Sequence, residues 1–463
     1  MSTTPLQDPA AAPPESVTGP VLRRTLTLRH IVFIGLAYMA PLAVFDTFGI
    51  VADITNGHVP LAYLLILLAV GITALSYARM VRFYPRAGSA YTYAREAINP
   101  HLGFLVGWAA TLDYLLLPMI NALLASIYMS AAFPEVPAWV WIFSTIIITT
   151  ALNVVGVQIT ARINVALVVV QLVVAVAFVA LTIKNIIAGA NGAEFSALPF
   201  FAPDVDFSAI AAGAAVLALS FLGFDAVSTL AEEAQHPRRD IPRAIFIIVA
   251  IAGVFFVAVT YFMQVLFPDV AAVGDIVGAS PAIAKYIGGA AFQAMFIGGY
   301  MMAVLGCGIT QQLSAARLVY AMGRDRVLPE RPFAKLNRAG VPAINVLIIA
   351  LIACSAAFLD LYQASSLINF GAFVAFFFVN ASVIFTWVRF IRPTQPRLGL
   401  RGALGYLVLP LIGSAVSLML WLSLEPSAML LGAVWVALGF MYLLARTRGF
   451  RAAPPALQGP QLD

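Results

Sequence analysis

Apolar residues in this chain neither alternate with polar ones nor recur on one helical face; they run almost unbroken for about twenty residues at a time. The runs fall at 31–53, 60–82, 101–131, 138–160, 163–187, 207–232, 243–267, 287–320, 343–360, 364–388, 403–424 and 427–446. A helix of that length matches the roughly 30 Å hydrocarbon layer of a bilayer. The pattern predicts an all-α integral membrane protein of about twelve transmembrane helices. The polar connections are short, and no Pro/Gly-rich linker divides the runs, so one domain is expected over 25–447. Residues 1–24 and 448–463 read as disordered cytoplasmic tails. The first lacks the apolar core of a signal peptide, which leaves the first span as its own uncleaved signal.

Composition agrees with the pattern. Of the 463 residues 62% are hydrophobic and 10% charged, with mean hydropathy +0.95, against roughly 25% charged in a soluble protein. Placing both termini in the cytoplasm puts 24 of the 26 Lys and Arg on that side and leaves only Lys184 and Lys285 outside. The net charge of +5 therefore orients the chain and does not point to nucleic acid. The outer loops carry Asp53, Glu135, Glu194, Asp204, Asp206, Asp269, Asp275, Asp360 and Glu425. These acids form a weak funnel for cations, or simply supply polarity where Lys and Arg are missing. Cys307 and Cys354 lie in apolar spans, and His30, His58, His101 and His236 lie near span ends. Neither set makes a disulfide framework or a metal site, so no metal and no cofactor is expected. HExxH, GxSxG and Gly-rich phosphate loops are missing as well, which argues against an enzyme.

Three carboxylates break the apolar pattern. Asp46, Asp113 and Asp225 lie deep in spans 1, 3 and 6, with no Lys or Arg at comparable depth. Each costs about 2.5–3.5 kcal/mol at a helix centre, and such residues mark ion paths, proton relays or polar cavities. The economical partners are protons and a cationic substrate. Two of the three follow a break. Span 1 reads Gly35-Leu-Ala-Tyr-Met-Ala-Pro41-Leu-Ala-Val-Phe45-Asp46, and span 6 reads Ser220-Phe221-Leu-Gly223-Phe224-Asp225. Paired interrupted helices in two halves of a chain point to a transport site. Unwound backbone is tolerated where it lines a cavity, and its freed carbonyls favour a cation.

Three separated segments then resemble one family, the amino acid–polyamine–organocation permeases. They are Pro85-Arg-Ala-Gly88-Ser-Ala-Tyr91-Thr-Tyr93, Phe224-Asp225 through Glu232-Glu233 to Pro237-Arg-Arg-Asp240-Ile-Pro242-Arg-Ala244, and Ala316-Arg317 through Arg324-Asp325 to Leu328-Pro329. Within that family Val44-Phe-Asp-Thr-Phe-Gly-Ile-Val51, Gly57-His-Val-Pro60, Leu112-Asp-Tyr114 and Leu117-Pro-Met-Ile-Asn121 look like bacterial putrescine importers. The resemblance implies a five-plus-five inverted-repeat fold of the LeuT type, with helices 1 and 6 interrupted. It also implies alternating access and proton coupling or exchange across the inner membrane.

The departures from amino acid carriers are informative. Those resemble one another in a Gly-x-Gly in span 1, where backbone N–H groups reach a substrate carboxylate. Here Pro41-Leu42-Ala43-Val44-Phe45 stands in that place: Pro41 has no N–H, and Asp46 repels an anion. A diamine fits better, with carboxylates at its two ammonium ends and rings over its methylenes. Asp225 falls where the family places a carboxylate, and is expected to hold one ammonium and the coupled proton; Asp46 is the second candidate for both roles. Asp113 and Tyr114 are further candidates, Tyr114 for a cation–π face. Adjacent helical positions do not share a face, so only one of the two is expected at the site. Phe45, Phe221, Gly223 and Phe224 complete the expected binding set, although core packing serves the phenylalanines equally well. Some relatives use a span-5 lysine; Gln171 stands at the comparable position here. Glu232, Glu233 and Asp240 beside Arg238, Arg239 and Arg243 read as interfacial pairs or gate salt bridges. Gln311 and Gln312 read as cavity residues or as helix–helix bonds. The expected partners are a small cationic substrate, protons and lipid, and not nucleic acid. A permease or exchanger of cationic amino acids or agmatine is the alternative.

Overall fold

The computed structural model describes residues 26–84, 90–156, 161–201, 205–324, 327–394 and 399–454. Both expected tails up to Thr25 and beyond Pro454, the 85–89 part of the first family-like segment, Asp204, Asp325, Arg326 and Arg397 lie outside them. Among the described residues the chain is helical, with no named strand. Eleven helices are long and apolar enough to span a membrane, and Ala343–Ala357 is a shorter apolar helix at the position of the ninth span.

Span 1 is α1 (Leu28–Tyr38), a 3-10 turn (Pro41–Phe45) and α2 (Phe48–Ile54). Next come α3 (Val59–Phe83), the short α4 (Ala90–Ala97), α5 (Pro100–Ala132), α6 (Ala138–Val155) and α7 (Ala161–Ile187). Span 6 is α8 (Phe207–Leu217) followed by 3-10 turns at Ala218–Phe221 and Ala226–Glu232. After it come α9 (Pro237–Leu266) and α10 (Ala279–Arg324), the latter kinked at Gly289. The chain closes with α11 (Glu330–Phe333), α12 (Ala343–Ala353), α13 (Leu361–Thr386), α14 (Arg392–Thr394), α15 (Gly399–Ala403), α16 (Leu409–Leu422) and α17 (Pro426–Arg446).

Two packed groups organise these helices. In one, α3 lies along α9 and α8, and α1 lies against α9. In the other, α5, α6, α10 and α12 pack on one another. Polar bonds tie the second group together: Asn153 donates to Gln312 Oε1 at 3.0 Å, Gln312 donates to Thr150 Oγ1 at 2.8 Å, and Asn121 bonds Gln311. Gln311 and Gln312 are thus both engaged between helices. α13 bridges the groups. Its Asn380 accepts from Ser76 at 2.6 Å and donates to Thr73 at 3.0 Å on α3, and its Asn369 donates to the α8 carbonyls of Ala215 and Val216 at 2.7 and 3.1 Å. On its other side Gly371 lets α5 approach until a Cβ there would stand 2.7 Å from the carbonyl of Ala109.

Both described ends reach one face. Leu26 pairs with Glu233 and Gln235 at the end of span 6 through two 3.0 Å backbone bonds, and His101 at the start of α5 meets the carbonyl of Ala452 at 3.2 Å. Arg389 closes the same face by donating to the carbonyls of Ala97 and Ile98. Arg239 and Asp240 are 4.0 Å apart there, a loose interfacial pair. The loops of the opposite face use their acids structurally. Asp206, Asp269, Asp360 and Glu425 each accept a backbone N–H at a helix start, and Asp275 accepts that of Gly278. Helix capping therefore occupies four of the eight described acids of the expected funnel.

Gly371→Leu should force α5 away from α13 at a cost of roughly 1–3 kcal/mol. A lowered midpoint of thermal unfolding in detergent, with Ala381→Leu at a partly exposed position of the same helix as a control, checks this.

Candidate functional site

The sequence dictates both breaks. Pro41 cannot donate to a preceding turn and its ring excludes a helical residue before it, so α1 stops and Ala40 turns to φ 44°. In span 6, Leu222 is extended and Gly223 takes φ 100°, a conformation that favours glycine. Glycine has a second reason to be there: a Cβ would stand 3.1 Å from that of Tyr38. The two breaks therefore lie against each other.

Hydroxyl groups take up the unwound backbone. Ser220 donates to the carbonyl of Ala43 at 3.2 Å and is itself bonded by the Tyr63 hydroxyl at 3.0 Å. The carbonyl of Phe45 accepts from Ser280 at 2.7 Å and from Tyr128 at 3.2 Å. These carbonyls, expected from sequence to face a cation, are thus satisfied by side chains, as backbone in a dry interior requires. The amides of Ala43 and Asp46 are spent inside the same turn, on Ala40 and Ala43.

The three aspartates sort into two poles. At the first, Tyr300 of α10 donates to Asp46 Oδ1 at 2.6 Å, and the Tyr300 ring stacks on Tyr128 with centroids 3.5 Å apart. At the second, Tyr77 of α3 donates to Asp225 Oδ2 at 3.3 Å. Asp113 lies within electrostatic reach of Asp225, and Tyr114 within reach of both. Asp113 and Tyr114 thus attend the same pole although they are neighbours on one helix.

Aromatic rings enclose the space around the poles. Phe224 meets Tyr77 edge-on at 5.7 Å and Phe376 at 5.4 Å. Phe45 packs on Phe178 and Phe296 at 4.6 and 5.1 Å, and Phe221 on Phe256 at 5.4 Å. Those three phenylalanines are fully buried, whereas Tyr114 is 38% and Tyr38 50% exposed. Tyr38 lies within reach of Glu233 as well as Tyr114. The two half-exposed tyrosines thus lie between the second pole and Glu233. Gln171 is buried on α7, which packs against the span-1 turn, and its Oε1 has no hydrogen-bond partner.

Sequence reasoning did not single out Tyr63, Tyr77, Tyr128, Tyr300, Ser220 or Ser280 as site residues. Among fifteen tyrosines nothing local distinguishes them; their partners stand on other helices. Among the described residues no group of three or more His, Cys, Asp or Glu could hold a metal ion.

The amino acid permease family model matches residues 30–420. The chain belongs to that family. It is 43% identical to the low-affinity putrescine importer PlaP of Escherichia coli K12 over 94% of this chain and 96% of that protein. It is 28% identical to the branched-chain amino acid permease BcaP of Lactococcus lactis over 91% of this chain and 94% of that protein. A solved structure of MhsT in complex with L-phenylalanine superimposes with a TM-score of 0.58 over 88% of this chain and all of that one, at 16% identity. That likeness concerns the fold. The expected all-α permease fold with interrupted spans 1 and 6 is borne out, as is the expectation of a multi-pass membrane transporter rather than an enzyme.

Tyr300→Phe removes the donor from Asp46 and keeps the stacked ring. A hydrogen bond to a charged group is worth roughly 1.5–3 kcal/mol, so initial uptake at low substrate should fall about tenfold or more. Tyr128→Phe, which loses a bond to a neutral carbonyl, should fall less. Uptake rates in reconstituted vesicles, normalised to protein inserted, compare the two.

Proposed function

We propose that this permease imports putrescine or a similarly small polyamine across the bacterial inner membrane, coupled to protons, by alternating access. The observation that carries this reading is the separation of buried carboxylates into two poles with aromatic rings around them. A diamine has two ammonium groups joined by methylenes and nothing anionic. Asp46 holds one end and Asp225 the other, with Tyr114 offering its face and hydroxyl beside the second ammonium. Phe45, Phe221 and Phe224 set the apolar walls, and Gly223 lets the two breaks touch.

Two further observations support the choice of substrate. Two amides of the span-1 turn, those of Ala43 and Asp46, are spent within it, and an amino acid's carboxylate approaching there meets the like charge of Asp46. The 43% identity to a putrescine importer over nearly the whole chain adds to this. Orientation follows from the basic residues: the face where Leu26, Glu233 and Ala452 come together also carries most of the arginines, and positive charge stays in the cytoplasm. Exposed Tyr38 and Tyr114 then mark an inward-facing opening.

Proteoliposomes with an inward proton gradient should accumulate radiolabelled putrescine, with cadaverine competing and excess arginine leaving uptake largely intact. Asp225→Asn leaves an ammonium without its counter-charge, a loss of roughly 2–5 kcal/mol, so uptake should drop about a hundredfold. Arginine outcompeting the diamines, or uptake only into vesicles preloaded with substrate, would replace this reading with an amino acid carrier or an exchanger.

A further inference from the structure

We propose that the seam between the end of α3 and the start of span 11 binds an anionic phospholipid of the cytoplasmic leaflet, its phosphate held by Arg79 and Arg82. Such a site is separate from the carboxylate poles. It takes from the reading above only the orientation of this face.

Arg79 lies one turn before the end of α3 at Phe83. It is half-buried, and Arg82 is exposed; at a spacing of three the two are neighbours on the helix surface. The Arg79 guanidinium stands over the Tyr406 ring, 5.3 Å from its centroid. Tyr406 belongs to the turn Leu404–Val408 that leads into α16. Its ring stacks on that of Trp387, just past α13, with centroids 5.5 Å apart, and meets Phe83 at 6.3 Å. Gly405 leaves the guanidinium room, since a Cβ there would stand 3.4 Å from Nη2. The ends of α3 and α13 and the start of span 11 thus hold one arginine between them.

Charge sets this place apart. Among the described residues the ion pairs are Arg95 with Glu96 and Arg239 with Asp240, and neither includes Arg79 or Arg82. The stretches 79–95 and 385–411 carry four arginines each and no Asp or Glu. Arg79 Nη1 is buried without a hydrogen-bond partner. An arginine that serves only to orient the chain extends its head into water. This one lies over a ring with donors unspent. Its planar fork matches the oxygens of a phosphate, and the cytoplasmic leaflet is where anionic headgroups lie.

The surface beyond the arginines makes the anion a lipid. Leu68 stands eleven residues before Arg79, about three helical turns, so the two share a flank of α3. Leu68 is exposed, as is Leu64 one turn further on, and across the seam Leu404 and Val408 are exposed on span 11. Acyl chains cover these apolar side chains while the phosphate stays with the arginines. A free phosphate has no use for them.

Native mass spectrometry of the full-length protein in detergent tests this. The protein is titrated with phosphatidylglycerol, with phosphatidylcholine of the same chains and with inorganic phosphate. Each arginine near the surface is worth about fivefold in affinity for an anionic lipid. The first phosphatidylglycerol should therefore bind the wild type at least about tenfold more tightly than the first phosphatidylcholine. Arg79→Gln should weaken it about fivefold, and Arg79→Gln with Arg82→Gln about twentyfold, with phosphatidylcholine binding unchanged. Arg451→Gln, at an exposed arginine of the same face, should change neither. Equal binding of the two lipids by the wild type, a result that needs no variant, would overturn the proposal. So would a loss in Arg79→Gln no larger than that in Arg451→Gln. Displacement of phosphatidylglycerol by inorganic phosphate would overturn it in favour of a free-anion site.

Discussion

Lipid offers no hydrogen-bond partner, so the backbone groups of a bilayer-spanning chain must find theirs within the protein. Here the main consequence falls on the two broken spans. Pro41 and Gly223 interrupt helices that would otherwise satisfy their own backbone, and the carbonyls of Ala43 and Phe45 must be met from elsewhere. Ser220, Ser280 and Tyr128 meet them, and those three side chains come from the other broken span and from α10 and α5. The need to satisfy unwound backbone thus clamps the two packed groups of helices together at the place where the carboxylates lie.

The same rule separates the aspartates. Asp46 and Asp225 each gain a tyrosine donor, whereas Asp113 Oδ1 is buried without a partner. Tyr300 and Tyr77 come from different groups of helices, α10 in one and α3 in the other. Relative movement of the groups therefore changes the surroundings of both poles together.

Helix capping accounts for much of the charge that a reading of composition would give to substrate attraction. Asp206, Asp269, Asp360 and Glu425 sit at loop positions where a cation funnel and an N-cap look alike in sequence. Only the partner, a backbone N–H two or three residues on, tells them apart. Gln311 and Gln312 show the same ambiguity inside the membrane, and their partners on α5 and α6 give them to helix packing.

The chain's own pattern determined the helical class, the positions of the spans, the two breaks and the three buried acids. Each of these depends on residues near in sequence: run length against bilayer thickness, a proline without its N–H, a charge where apolar side chains surround it. Tertiary structure decided who meets whom. Tyr300 reaches Asp46 across 254 residues and Tyr77 reaches Asp225 across 148, distances over which no local pattern carries information. It also brought Asp113 and Tyr114 to one pole, where helical periodicity alone assigns them different faces. The physical reason is that a span's depth is set by its own hydrophobicity, whereas its neighbours and rotation are set by how all the helices pack.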